Sequence, residues 1–92
     1  MRLDKYLKVT RIIKRRTVAN EACDTEHIMV NGRRAKAGYD VKEGDVLDIF
    51  FGQRTMRVRV LKVKETVGKA EASELYEVIS VTNADRGEQQ DV

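Results

Sequence analysis

Apolar residues at the start of the chain recur at the spacing of an α-helix. At 3.6 residues per turn one face carries Leu3, Tyr6, Leu7 and Thr10. The opposite face carries the cations Arg2, Lys5 and Lys8. Asp4 falls in the first turn, where a negative charge complements the helix dipole. The pattern predicts one short amphipathic helix, with Tyr6 in the core rather than serving as a platform for stacked bases.

A second helix is predicted after a basic connecting segment. It runs from Thr17 to about Asp24, with Thr17 as the N-cap and Glu21 in its early part. The side chains expected to turn inward are small or apolar: Val18, Ala22 and Cys23. Such side chains would let this helix lie close against the first one.

Turn residues divide the rest of the chain into strand-like stretches. Asn31-Gly32 predicts a two-residue hairpin turn, because both residues tolerate a positive φ. Gly44 and Gly52-Gln53 mark two further turns. We expect strands over 46–51, 54–64 and 75–81. Residues 65–73 are expected to form a loop, with a helical turn over 70–74 at its end.

Two of these strands carry more detailed expectations. In the first, the predicted core residues are Val46, Ile49, Phe50 and Phe51. In the second, apolar residues alternate with Arg57 and Arg59 until the phase slips at Val60-Leu61, which indicates a bulge or bend. The elements together predict an α+β fold, with residues 1–82 as a single domain and 83–92 as a disordered tail.

Charge is distributed unevenly along the 92 residues. Residues 1–36 hold ten Lys/Arg and four Asp/Glu, a net charge of +6, whereas residues 37–92 hold eight and eleven, a net charge of −3. This asymmetry favours an anionic partner on one side of a small domain, nucleic acid before an anionic membrane. No wide apolar face adjoins the cations for insertion into a membrane.

The cations near the two predicted helix starts are the candidate RNA contacts, and we call them the cationic ridge: Arg2, Lys5, Arg11, Lys14, Arg15 and Arg16. A charge run is usually a solvated helix face. Here the helix dipole would disfavour cations at helix starts, which indicates binding of phosphate oxygens instead. With few aromatics, recognition by shape and phosphate is favoured over base stacking. The later cations Arg57, Arg59, Lys62 and Lys64 are assigned to the wet face of an edge strand.

No catalytic, cofactor or metal site is indicated. His27 is the single histidine, and its pairing with Cys23 gives two ligands, too few for a metal site. The glycines form no phosphate-binding loop, and no carboxylate pair stands out. Cys23 is the single cysteine, so it is assigned as a buried thiol. The absence of a long apolar run and the charged N-terminal stretch favour the cytoplasm.

Four separated motifs resemble one known family. They are Arg2-Leu-Asp-Lys-Tyr-Leu, Arg15-Arg-Thr, Ile28-x-Val-Asn-Gly and Val41-Lys-x-Gly-Asp45. In this order, over residues 1–52, they resemble the S-four RNA-binding domain, also called the alpha-L motif. With its compact length and its Phe51-Gly-Gln continuation, the chain is similar to the bacterial RqcP family of ribosome-associated quality control. That family is related to the fifteen-kilodalton ribosome-associated heat-shock protein.

The resemblance implies a fold, partners and contact residues. Two N-terminal helices would pack beside a small, mostly antiparallel sheet and form the RNA-binding face. Proteins of this family bind the obstructed large ribosomal subunit and its peptidyl-tRNA, with an RqcH-like elongation partner that adds a C-terminal alanine tail. Arg2 and Arg16 are the implied principal RNA contacts, followed by Lys5, Arg11, Lys14, Arg15 and Arg33. Glu26 is a departure, because the family often has Gly in that loop.

Two other hypotheses stay open at this point. One is a general ribosome-assembly or structured-RNA chaperone that uses the same basic face without dependence on tRNA. The other is a protein-interaction adaptor that uses the acidic C-terminal half. For the RqcP-like function we expect a monomer when the protein is free.

Overall fold

Helices and strands are defined here for residues 1–25 and 27–83, the part of the chain that this computed structural model describes. The helices are α1 (Leu3–Val9), α2 (Arg16–Asp24) and α3 (Lys69–Ala72). The strands are β1 (Ile28–Val30), β2 (Arg33–Arg34), β3 (Val46–Phe51), β4 (Arg54–Val60) and β5 (Tyr76–Asn83). Glu26 lies outside the described residues. The tail beyond Asn83, for which disorder was predicted, lies outside them as well.

The described strands form one antiparallel sheet in the order β2-β1-β3-β4-β5. Leu47 stands opposite Val30 on one side and Val58 on the other, so the centre of the sheet is a run of buried aliphatic residues. The predicted α+β fold is confirmed. The assignment of Arg57 and Arg59 to an edge strand was wrong, because β4 lies between β3 and β5.

Helix α1 buries the face that the sequence predicts. Leu3, Tyr6 and Leu7 have no exposed surface, and Thr10 just beyond the helix is 2% exposed. The hydroxyl of Tyr6 donates a hydrogen bond to the carbonyl of Leu75 at 2.9 Å. Tyr6 is therefore a core residue that links α1 to the start of β5, as predicted, and its ring is closed to RNA.

Helix α2 starts one residue earlier than predicted, and of the three side chains predicted to turn inward Cys23 is buried and Ala22 partly buried. Its N-cap residue is Arg15, whose side chain makes no capping bond, so the prediction of Thr17 as N-cap was wrong. Ala19 and Cys23 are buried, whereas Val18 is 48% exposed. The predicted inward position of Val18 was wrong, while that of Cys23 is confirmed; burial raises the pKa of the Cys23 thiol to about 11.

The turns follow the predicted chemistry. Asn31 and Gly32 have φ values of 53° and 81°, as the two-residue hairpin between β1 and β2 requires.

In β3 the alternation places Leu47 and Ile49 in the core. Val46 and Phe50 are only partly buried and Phe51 is exposed, so the prediction of these three as core residues was wrong, whereas that of Ile49 is confirmed.

The phase slip at Val60 is the end of β4 rather than a bulge within it. Beyond it, the amides of Leu61 and Lys62 both donate to the carbonyl of Leu75. A register shift occurs instead between β4 and β5, where Arg57 and Val58 are consecutive but their partners skip Ile79. The predicted helical turn exists as α3 and begins one residue early.

The start of α1 is tied to the segment that follows the hairpin. The amide of Leu3 donates to the carbonyl of Tyr39 at 2.8 Å, and that of Asp4 to Ala37 at 3.2 Å. This pairing fixes the beginning of α1 against the segment between β2 and β3. No helix in the described part of the chain has the length and apolarity needed to cross a bilayer.

Candidate nucleic-acid interface

A carboxylate held between two arginines forms the centre of the candidate interface. Asp4, in the first turn of α1, is 2% exposed. Its Oδ1 accepts from Nε of Arg2 at 3.2 Å, and its Oδ2 accepts from Nη2 of Arg2 at 3.5 Å. From α2, Nε of Arg16 and Nδ2 of Asn20 each donate to Oδ2 at 3.3 Å. We call these four residues the Asp4 cluster.

The Asp4 cluster stays charged and open to solvent. Burial alone would raise the pKa of Asp4, but the hydrogen bonds from Arg2, Asn20 and Arg16 together outweigh it and hold the pKa below its ordinary value. The side chains of Arg2 and Arg16 remain 53% and 46% exposed. Two guanidiniums therefore share one carboxylate, and the cluster keeps a net positive charge at neutral pH.

The same contacts explain the orientation of α2. Arg16 and Asn20 are four residues apart and so lie on one face of the helix. Their bonds to Asp4 and the burial of Ala19 and Cys23 on the adjoining face are met by the same rotation of α2 about its axis.

Beside this cluster lies a basic groove of about 360 Å³ between α1, the connecting segment and residues 65–67. The cations that line it are Lys5, Lys8, Arg11, Lys14 and Arg16. Arg16 also lines the concave surface over the Asp4 cluster, so it joins the two. The fold thus brings five of the six ridge residues onto two adjoining concave surfaces.

Lys8 and Glu65 are groove residues that were not among the predicted contacts. Lys8 lies three residues after Lys5 on the exposed face of α1, a spacing that the sequence displays. Glu65 accepts a hydrogen bond from Nζ of Lys5, and this ammonium holds the pKa of Glu65 below its ordinary value. It lies sixty residues along the chain from Lys5, and no local pattern indicated that contact.

The segment between α1 and α2 carries three of the ridge cations. Arg11 follows the end of α1 with a φ of 62°, in the left-handed region that residues other than glycine rarely adopt. Arg11, Lys14 and Arg15 are exposed and have no acidic partner among the described residues. Arg15 precedes α2 and lies next to Arg16 in the chain.

Arg33 is placed apart from the other predicted contacts. It is on β2, at the edge of the sheet, and lines a depression with Val30, Asn31 and Tyr39. It lines neither the basic groove nor the concave surface over the Asp4 cluster. A role of Arg33 in RNA contact stays a prediction.

Cations of β4 are paired with acids on the opposite side of the sheet from the buried residues Val58 and Val60. Nε of Arg57 donates to Oδ1 of Asp48 at 2.7 Å. Arg59 forms an ion pair with Glu77 at 3.5 Å. These arginines match the predicted wet face, although on a central strand.

The described residues hold no group of three His, Cys, Asp or Glu side chains arranged for a metal ion. Nδ1 of His27 is 2.7 Å from the hydroxyl of Thr25, and Cys23 is buried. The arrangement of charges around α1 and α2 instead suits binding of a polyanion.

Comparison with known proteins agrees with this geometry. Residues 1–47 match the family model of the S4 domain. The chain is 63% identical over 78 residues to the RQC P-site tRNA stabilizing factor of Halalkalibacterium halodurans, covering 85% of this chain and 89% of that protein. The protein of the same name from Bacillus subtilis is 51% identical, covering 86% and 92%. A trimeric structure of heat shock protein 15 from Vibrio cholerae superposes with a TM-score of 0.82 at 26% identity, covering 98% of this chain and 91% of that one.

Proposed function

This chain belongs to the S4 domain family, among relatives named RQC P-site tRNA stabilizing factor, and we propose that it is an RNA-binding factor of ribosome-associated quality control. In this role it binds the large ribosomal subunit that still holds peptidyl-tRNA and contacts both ribosomal RNA and tRNA. Its contribution is binding rather than catalysis, and it acts in the cytoplasm as a monomer until it meets the ribosome.

The observation that carries this proposal is the joined pair of basic concave surfaces. Six cations line them: Arg2, Lys5, Lys8, Arg11, Lys14 and Arg16. The carboxylates there are Asp4, Glu21 and Glu65. The excess of positive charge suits a backbone of phosphates, and the concave shape suits folded RNA better than a flat strand.

The relatives supply the particular RNA. Their name states that they stabilise tRNA in the P site, and they cover nearly the whole of this chain. We propose that tRNA held in this way remains available to an RqcH-like partner, which extends the stalled chain with alanine. Arg2 and Arg16 clamp phosphates in this proposal, and the ridge together with Arg33 supports them.

Sedimentation of the full-length protein with ribosomal subunits tests the proposal. The protein should co-migrate with large subunits that carry peptidyl-tRNA and should leave them when the tRNA is released. Charge reversal of both Arg2→Glu and Arg16→Glu should abolish co-migration, because it replaces two of the exposed cations with anions.

A matched control is available on the other side of the sheet. Arg57→Glu with Arg59→Glu makes the same change in net charge at residues that line neither basic concave surface, and its co-migration should be retained. Because Arg57 pairs with the nearly buried Asp48, the fold of this variant is checked by circular dichroism. Removal of residues 83–92 should also leave co-migration intact; its loss would favour an adaptor role for the acidic half. Binding that persists after release of tRNA would favour a general structured-RNA chaperone and contradict the tRNA-dependent role.

A further inference from the structure

We propose that Asp4 is a positioning residue that holds Arg2 and Arg16 in a fixed relative geometry for folded RNA. Its negative charge therefore does not lower the affinity for RNA. This inference rests on the proposed function. It concerns how the two arginines act and does not depend on which RNA they contact.

Asp4 uses only some of the donors of the two arginines. Both arginines bond to it through Nε, and Arg2 adds Nη2. Since a guanidinium has five N–H donors, three remain on Arg2 and four on Arg16. The side chains are about half exposed, so these donors stay available to a ligand.

Asp4 itself is held in place. Its backbone amide donates to the carbonyl of Ala37, and its side chain is almost fully buried. Asn20 supplies a further hydrogen bond from α2. One anchored carboxylate therefore determines where a guanidinium from the start of α1 and one from the start of α2 lie relative to each other.

Holding two long side chains before the ligand arrives reduces the entropy that binding would otherwise lose. It also favours ligands whose phosphates match the fixed spacing. Folded RNA has such a spacing, and a flexible strand does not. The Asp4 cluster should thus contribute to selectivity for folded RNA as well as to affinity.

The isosteric variant Asp4→Asn separates positioning from simple neutralisation, because the two ideas predict opposite signs. It raises the net charge from +3 to +4, so binding should tighten if Asp4 acts only as a negative charge. If Asp4 positions the arginines, affinity for a tRNA transcript should fall roughly tenfold. The ratio of tRNA affinity to poly-uridine affinity should fall with it.

Asp48→Asn is the matched control. Asp48 is 8% exposed and receives Nε and Nη2 of Arg57, so it copies the chemistry of the Asp4–Arg2 pair on the other face of the sheet. It makes the same change in net charge. Its tRNA selectivity should equal that of the unchanged protein, and a loss as large as that of Asp4→Asn would overturn the proposal.

Two lysine variants keep the proposal testable if Asp4→Asn does not fold. Arg2→Lys and Arg16→Lys preserve every charge but remove the Nε donor that faces Asp4. Each should lower tRNA selectivity, and unchanged selectivity in both would overturn the positioning role. The double variant Arg2→Ala with Arg16→Ala tells the two proposals apart. If it binds tRNA normally, the proposed function itself is contradicted. If it loses tRNA binding while both lysine variants behave normally, only the role of Asp4 is contradicted.

Discussion

Replacing Arg11 with glycine should stabilise the fold and weaken RNA binding at the same time. Arg11 has a φ of 62° directly after α1, where glycine is the favoured residue. It also lines the basic groove and has no acidic partner among the residues described. Backbone strain at a residue with a positively charged side chain is expected where selection favours a phosphate contact over stability.

The magnitude follows from two opposing contributions. A side chain in the left-handed region costs about 1–2 kcal/mol, which glycine would recover. Glycine in turn gives the unfolded chain more freedom and loses about 0.4–1 kcal/mol. The Arg11→Gly variant should therefore gain about 0.8 kcal/mol in free energy of unfolding, the middle of a range from about 0 to 1.6 kcal/mol.

Urea denaturation followed by circular dichroism measures this gain, since the chain has no tryptophan to report by fluorescence. Binding is measured with a labelled tRNA transcript at several salt concentrations. For about 4–6 neutralised phosphates, log affinity of the unchanged protein should fall with log salt at a slope of roughly −3 to −5. Loss of one cation should make that slope less steep by roughly 0.7–0.9.

Arg11→Gln is the control, because it removes the charge and keeps the strained backbone. It should bind RNA as weakly as Arg11→Gly without the gain in stability. Equal stability of the two variants would refute the strain argument. Unchanged affinity and salt slope in both would refute the contact with phosphate.

Three further predictions concern single side chains. Glu65→Gln should raise RNA affinity a few-fold at low salt in filter-binding assays, because it frees Lys5 and removes an anion from the groove; unchanged affinity would place the groove outside the interface. Tyr6→Phe should cost only about 0.5–1 kcal/mol in urea denaturation, since the carbonyl of Leu75 keeps two backbone donors, and a loss above about 2 kcal/mol would contradict that account. Because the pKa of Asp4 is lowered in the folded protein, Asp4 stabilises the fold at pH values above its ordinary pKa of 3.8. This stabilisation is lost as the pH falls below that value. The difference in stability between the protein and Asp4→Asn should therefore shrink in acid melts below about pH 4, and a difference that grows there would have the wrong sign.

Local patterns in the sequence determined most of the elements. The buried face of α1 follows from helical spacing, and the hairpin follows from Asn31-Gly32, because both depend only on neighbours in the chain. The concentration of cations in residues 1–36 was likewise visible in the sequence, and it led to the ridge residues that the fold gathers around α1 and α2.

The tertiary structure decided what depends on contacts between distant residues. Helix α2 has small side chains on several faces, so its periodicity did not reveal the rotation in which Ala19 and Cys23 are buried and Arg16 and Asn20 bond to Asp4. The sequence assigned Asp4 to the helix dipole alone, and it gave no sign that Glu65 would reach Lys5. Periodicity shows which side of an element is apolar, but only packing determines which charged residues from separate elements come into contact. The proposed interface consists of such residues.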